Sequence, residues 1–299
     1  MYYEHHYSGD IIAVRSGGDI ATGVIQKLWR AGFRVAVLET AEPLTIRRSV
    51  ALSTAVRAKI HTVEDMTAVL ATDMASCEAA WSSGCIPVLV DPAMHSLDVL
   101  RPIALVDAII AKRNTGMHPG LAPITVALGP GFSAPEDVNC VVETMRGHNL
   151  GRLILRGMAL PNTGVPGELG GKSAERVLHA PVAGMIRHVR SLGDRVEKDE
   201  ILFTINDTPV RSRLTGTLRG LIEDGSMVRK GLKCADVDPR PADQVDWLTV
   251  SDKARALGGA VLEACFMLAA RKGLPLLPGV AAWASAREIV PGPRRSYMQ

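Results

Sequence analysis

The stretch DIIAVRSGGDIATGVIQKLWRAGFRVAVLE, residues 10–39, decides the fold class of the chain. Residues 10–15 are an apolar run of strand length, and Ser16-Gly17-Gly18-Asp19 turns the chain. From Ala21 onward, Ala21, Val24, Ile25 and Leu28 recur at the spacing of a helix with one buried face. Gly32 ends that helix, because glycine adopts the left-handed conformation of a C-terminal cap without a Cβ clash. Residues 33–38 supply the next strand, with Glu39 at its carboxyl end. Strand, glycine turn, helix and strand in this order predict an α/β fold with a Rossmann-like, mostly parallel sheet.

Aligned with the dinucleotide pattern G-x-G-x-x-G/A, the turn is Ser16-Gly17-Gly18-Asp19-Ile20-Ala21, with serine in place of the first glycine. Gly18 would let a pyrophosphate approach the backbone, and the helix N-terminus would offer N–H donors. Glu39 lies 21 residues beyond Gly18, where an acidic group commonly holds a ribose hydroxyl. The alternative is an α/β unit whose glycines serve only close packing.

Further strands are predicted at 86–90, ending at Asp91-Pro92, at 103–111, ending at Lys112-Arg113-Asn114, and at 124–128, ending at Gly129-Pro130-Gly131. Ser133-x-x-Glu136 has the form of a capping box. It predicts a helix carrying Val138, Val141, Val142 and Met145, and so a second strand–glycine turn–helix unit. Ligands of open α/β sheets sit beyond the carboxyl ends of the strands. Parallel strands would bring Glu39, Asp91, Lys112–Asn114 and Gly129–Gly131 to one edge. Singly, Lys112 or Arg113 reads as a solvated strand-end charge, and only their joint placement suggests an anionic ligand. Arg146 precedes Gly147, and His148 and Arg152 follow it in a tight turn. Imidazole changes charge near neutrality, which makes His148 the one weak candidate for catalysis. The expected binding set is Gly17, Gly18, Asp19, Glu39, Lys112, Arg113, Asn114, Gly129, Gly131, Arg146, His148 and Arg152, with no metal site.

Residues 161–172, PNTGVPGELGGK, have the composition of a linker or ordered loop. Beyond them lies an internal repeat. Gly184, Ile186, Val189, Gly193, Val196 and Lys198 recur at a shift of 32 as Gly216, Leu218, Leu221, Gly225, Val228 and Lys230. Halves this short cannot each enclose a core, so they pair into one small sandwich or barrel. The pattern resembles the biotinyl/lipoyl-type barrel-sandwich module. In carrier members of that group a lysine at the hairpin between the halves takes the cofactor. The corresponding hairpin here is Asn206-Asp207-Thr208-Pro209, and no lysine lies between Lys198 and Lys230. Lipoyl or biotin attachment is therefore not expected, and the module reads as structural or as a docking surface.

Ser251 is placed to cap a helix running to about Lys272, with Ala254, Leu257, Val261, Leu262, Cys265 and Leu268 as its apolar stripe. Gly258-Gly259 would weaken a free helix and suggest close packing on the α/β unit. Residues 279–299 read as a poorly ordered tail. The expected boundaries are 1–172 for the α/β unit, 173–240 for the barrel-sandwich unit, and 241–299 for the helix and tail.

Composition limits the partners. The 299 residues are 47% hydrophobic and 22% charged, with 34 basic against 31 acidic side chains and a formal charge of +3. A balance this even argues against a nucleic acid held by counterion release, and 4% aromatic content argues against base stacking. No apolar run reaches the roughly 18 residues of a membrane span, and Met1–Asp10 lacks the features of a secretory leader. The five cysteines include no C-x-x-C pair, which suits unpaired thiols in a reducing cytoplasm.

Motifs in fixed order resemble the accessory (maturation) proteins of selenium-dependent molybdenum hydroxylases. They are Gly18-Asp19-Ile20-Ala21-Thr22-Gly23, Val106 through Asn114, Leu128-Gly129-Pro130-Gly131-Phe132 and Glu143-Thr144-x-Arg146-Gly147-His148-x-Leu150-Gly151-Arg152. Pro161-Asn162-Thr163-Gly164-x-Pro166-Gly167, Ala180-Pro181-Val182 and Asp236-x-Asp238-Pro239-Arg240 complete the set, over roughly residues 10–275. The resemblance implies a Rossmann-like domain related to that of xanthine dehydrogenase accessory proteins. It also implies a cytoplasmic maturation factor that docks on a molybdenum hydroxylase apoprotein and binds a phosphorylated ligand, NAD-like or a molybdopterin dinucleotide. Homo-oligomerisation fits the same picture. The alternatives are an NAD(P)-dependent oxidoreductase and a sulfur- or selenium-transfer enzyme, the latter requiring a reactive cysteine.

Overall fold

The computed structural model describes residues 7–164 and 167–279. β1 (Ser8–Arg15) leads into α1 (Asp19–Arg30), and β2 (Arg34–Glu39) returns parallel to β1 with Val14 beside Val37. The side chains of Ala21, Val24, Ile25 and Leu28 on α1 are fully buried. Each of the larger ones contributes about 1.5–3 kcal/mol through burial. Lys27 and Arg30 stand in the last turn, where they complement the negative end of the helix dipole. Gly32, at φ 94°, turns the chain into β2.

The chain continues through α2 (Ala55–Ala58), β3 (Ile60–Val63), β4 (Met66–Ala71), α3 (Met74–Ser82), β5 (Ile86–Val90) and α4 (Leu97–Leu100). Next come β6 (Pro102–Asp107), β7 (Ile124–Leu128), β8 (Ser133–Ala134), β9 (Cys140–Val142), β10 (Leu153–Ile154) and β11 (Gly157–Met158). Nine strands form one sheet in the order β10-β9-β7-β6-β1-β2-β5-β4-β3, parallel throughout except at the outer strands β3 and β10. β8 and β11 make a separate antiparallel pair. The fold is thus mixed α/β with a mostly parallel sheet. Strand order reverses at β1/β6: after β2 the chain reaches the far edge at β3, returns inward through β4 and β5, and then crosses to β6 to build the other side through β7, β9 and β10. Alternation along the strands divides the core. Ile12, Val14, Val35 and Val37 join the α1 side, whereas Ala13, Ala36 and Leu38 join the opposite layer with Phe132 and Cys77 of α3.

Two expectations fail between Asp107 and Met145. The strand predicted over 103–111 stops at Asp107, because Ile110 and Lys112 turn away at φ 57° and 65°. No helix follows Phe132. Ser133 Oγ does donate to Glu136, but Asp137 accepts from Ser133 N and folds the segment into a loop between β8 and β9. Val138 and Val141 pack into the layer opposite α1, and Val142 faces the α1 side. The helix that covers this part of the sheet comes from the far end of the chain.

That helix is α5 (Asp252–Lys272), capped by the Ser251 side chain at one end and by Gly273 at the other. It runs alongside α1 and packs on β7 and β9. Gly258 allows this: a Cβ there would lie 2.2 Å from the Gly23 carbonyl oxygen. Gly259 faces open space instead, so only the first glycine of the pair serves packing. Leu262, expected in the buried stripe, is partly exposed. The tail expected over 279–299 falls, beyond Gly279, outside the described residues.

The repeat forms β12 (Val177–His179), β13 (Gly184–His188), β14 (Arg195–Val196), β15 (Ile201–Ile205), β16 (Thr208–Arg211), β17 (Gly216–Leu221), β18 (Met227–Val228) and β19 (Lys233–Asp238). These make two four-stranded antiparallel sheets, β12-β19-β17-β14 and β16-β15-β13-β18. The halves exchange strands: β13 of the first pairs with β18 of the second, and β17 of the second with β14 of the first. Equivalent residues of the two halves meet in one core: Ile186 with Leu218, Val196 with Val228, Leu202 with Cys234 and Ile205 with Val237. The sheets dock on the segment after β2. Leu221 N donates to Ile46 O, and Arg48 reaches both Leu221 O and Glu223. Among the described residues no helix is long and apolar enough to cross a membrane.

Candidate functional site

Because the central strands are parallel, the turns after β1, β2, β5, β6, β7 and β9 share one edge of the sheet. The N-termini of α1 and α5 lie at this edge, since Lys272 at the far end of α5 reaches Pro123 and Asn139 at the opposite one. Near the crossover, Ser16 takes φ 82° and donates its N–H to Leu38 O. Gly17 N donates to Glu39 Oε2 at 2.8 Å, and Thr40 N donates to Glu39 Oε1 at 2.8 Å. Both oxygens of the buried Glu39 carboxylate are therefore engaged by backbone. The backbone of Leu52–Ser53 lies on Gly17, where a Cβ would come within 2.6 Å of Ser53 N. The close approach at Gly17 is thus made by the protein's own chain. Gly18 is the N-cap of α1 and offers no side-chain cap, so the first-turn N–H groups beyond it meet no capping side chain. Asp19 opens the helix, partly exposed.

On the β6–β9 side, two loops touch backbone to backbone. A Cβ on Gly131 would lie 2.3 Å from Arg113 N, and one on Gly129 2.8 Å from Thr144 Oγ1. Lys112 and Arg113 are exposed on this ridge. Asn114 braces its own loop: its amide donates to Met117 O and Asp137, and its oxygen accepts from Gly116 N and Met117 N. Arg146 forms a bidentate pair with Asp252 at the start of α5. His148 and Arg152 are exposed on the turn that leads to β10. Asp91 organises the turn after β5: His95 N, Ser96 N and Ser96 Oγ all donate to it. Burial pushes Asp91 upward, but these hydrogen bonds outweigh it and hold the carboxyl below its usual range.

Sequence reasoning missed several charged groups, two of them at the edge itself. Arg15 and Asp107, paired in register on β1 and β6, form an enclosed ion pair at 2.6 Å. Burial raises the Asp107 pKa, against the pull of Arg15 and of the Ile109 N–H. Arg176 and Arg219 both bind Asp236 of β19. Arg47, Lys233 and Lys253 arrive from the segment after β2, from β19 and from the first turn of α5, and each senses the charge of Asp19. One signal was legible: at the shift of 32, Lys233 and Asp236 stand where the first half of the repeat has Ile201 and Thr204. Nothing local marks the others.

The five cysteines are free. Burial pushes Cys77, Cys140 and Cys234 up to about 11 and Cys265 to about 12, far from the thiolate that nucleophilic chemistry needs. Among the described residues no group of three or more His, Cys, Asp or Glu side chains is placed to hold a metal ion.

No family model matches the chain. The sequence is 47% identical over 269 residues to the uncharacterized protein YqeB of Escherichia coli (strain K12), a match covering 90% of this chain and 50% of that protein. The chain therefore spans about half the length of the curated relative it matches. Among solved structures, the product-bound ectoine utilization protein EutE (DoeB) of Ruegeria pomeroyi is 13% identical, with 76% of this chain and 56% of that one covered and a TM-score of 0.22. A succinylglutamate desuccinylase/aspartoacylase of Rhodobacter sphaeroides is 12% identical, with 79% and 86% covered and a TM-score of 0.26. Overlaps at such scores carry no activity across. The curated relative is the uncharacterized YqeB and not a xanthine dehydrogenase accessory protein, which corrects the resemblance to selenium-dependent hydroxylase maturation proteins. The maturation role falls with it.

Proposed function

We propose that the chain binds a phosphorylated small molecule, of nucleotide type, at the carboxyl edge of its parallel sheet, in the cytoplasm. On this reading residues 1–172 are a Rossmann-like unit and residues 173–240 a barrel-sandwich unit. Residues 241–299 return to the first unit through α5.

The observation that carries the reading is the position of α1. Its N-terminus has no side-chain cap and stands at β1/β6, where strand order reverses. Crevices at such reversals receive ligands in open α/β sheets, and a helix N-terminus favours phosphate through its free N–H groups and dipole. Glu39 and Ser53 already engage Gly17. A phosphate would therefore sit toward Gly18 and Asp19, with Lys112, Arg113, His148 and Arg152 on neighbouring loops of the edge. Five unpaired thiols support a reducing compartment.

Native mass spectrometry of the purified chain with ATP, NAD⁺ and an unphosphorylated nucleoside tests the reading. Retention of the phosphorylated compounds at micromolar concentration, without the nucleoside, is expected. Failure to retain any phosphorylated compound would sink it.

A further inference from the structure

A charge held in a partly dry site is costly unless an opposite charge or hydrogen bonds compensate it. Most half-buried arginines of this protein meet that condition. Arg30 pairs with Asp65, Arg34 with Asp10, Arg48 with Glu223 and Arg240 with Asp238. Arg47, Lys233 and Lys253 do not. All three are partly buried, and none forms a side-chain hydrogen bond or ion pair with any described residue. The Arg47 Nε is fully enclosed and has no partner.

Packing sets Arg47 and Lys233 beside Asp236 and Lys253 beside the first turns of α1, and the charge of Asp19 acts on all three. Arg47 lies over β17, where a Cβ on Gly220 would stand 3.6 Å from Arg47 Cγ and 3.2 Å from Asp236 Cβ. Lys253 precedes Ala254, whose backbone presses on Gly23 one turn beyond Asp19. Lys233 opens β19, the strand that carries Asp236. The acidic groups around them are mostly committed. Asp236 holds both Arg176 and Arg219, Asp252 holds Arg146, and Glu143 accepts from Met145 N and Leu160 N. Asp246 accepts from Leu248 N. Asp19 alone has no such partner among the described residues, and its charge acts on all three cations. Burial depresses the pKa of each of these cations, as expected where positive charge lacks compensation.

We infer that Arg47, Lys233 and Lys253, gathered about Asp19, form a recess for an anion of at least two negative charges, a di- or triphosphate group, with the antiparallel sheets supplying one wall. The inference rests on the reading that a phosphorylated molecule binds this edge. It goes further by naming the charge of the ligand and the residues that hold it. Two positive charges beyond the one Asp19 balances set the minimum charge of the ligand.

Calorimetric titration of the full chain with inorganic pyrophosphate, tripolyphosphate and orthophosphate tests the inference. Pyrophosphate and tripolyphosphate are expected to bind more tightly than orthophosphate. Lys233→Met and Lys253→Met should each weaken pyrophosphate binding by about tenfold or more, as loss of a charge-assisted contact does. Lys233→Arg should retain binding. Both methionine variants should melt no lower than the parent without ligand, because each loses an uncompensated charge, and that result separates a lost site from a damaged fold. If Lys233→Met, Lys253→Met and Arg47→Met bind pyrophosphate like the parent while Lys112→Met or Arg113→Met abolish binding, the recess is wrong and the general reading stands. If neither ATP, NAD⁺ nor pyrophosphate binds the parent, both fall together.

Discussion

Arg15 and Asp107 face each other across the carboxyl ends of neighbouring parallel strands, with the guanidinium 2.6 Å from the carboxylate and both side chains enclosed. Arg15 also donates to the Thr115 carbonyl at 3.1 Å, which ties the loop after β6 to the crossover point. The pair ties β1 to β6 where the strand order reverses.

Removing one partner leaves a buried charge unpaired. Asp107→Asn should therefore destabilise the protein by about 3–5 kcal/mol, whereas replacing both residues with apolar ones of similar size should restore most of the loss. Denaturant unfolding of the single and double variants measures this. A single variant within about 1 kcal/mol of the parent would show that the pair contributes little.

Adjacent glycines in α5 should respond with opposite signs. Gly258→Ala forces a methyl group to within 2.2 Å of the Gly23 oxygen and should cost about 1–3 kcal/mol by pushing α5 off α1. Gly259→Ala meets nothing within 4 Å and should stabilise by up to about 1 kcal/mol through helix propensity. Equal effects at the two positions would contradict the packing described.

Acid should act on the antiparallel sheets through Asp238. Burial pushes this carboxyl upward, but the Arg240 hydrogen bonds and the charges of Arg219 and Arg240 outweigh it and hold it below its ordinary 3.8. An acid with a lowered folded-state pKa contributes stability above its unfolded value, and that contribution disappears as pH falls through the folded one. Stability should thus decline below about pH 4. Asp238→Asn should flatten that part of a urea-midpoint profile, and an unchanged slope would exclude Asp238 as its source.

The thiols should be slow to react. In native protein at pH 8, a disulfide reagent should modify Cys85 first, because it is the partly exposed one. The four buried thiols should follow only on unfolding. Rapid labelling of a residue other than Cys85 in Cys85→Ser protein would reveal an activated cysteine that the structure does not contain.

Much of the fold was legible because it follows from local periodicity. The unit at residues 10–39, the strands at 86–90 and 124–128, and the Ser251-capped helix appear where spacing and caps put them. The repeat also survives as equivalent strands, since its shift of 32 carries Ile186, Val196, Leu202 and Ile205 onto buried positions, although Val189 is exposed where its equivalent Leu221 is buried. The segment at 133–146 misled for a specific reason. Its valines suit a helix face or strand faces equally well, and the Asp137 side chain, accepting from the Ser133 backbone N–H, decided for a loop and a strand.

Periodicity and capping residues in the sequence alone determined which segments become strands and helices, because those signals act within a few turns of chain. Tertiary structure alone decided that α5 covers β7 and β9, that Glu39 closes on Gly17, and that the charge of Asp19 acts on Arg47, Lys233 and Lys253. Those relationships join residues up to 234 positions apart, from Asp19 to Lys253. Burial and charge at such separations depend on how the sheets dock, and no local pattern records that docking.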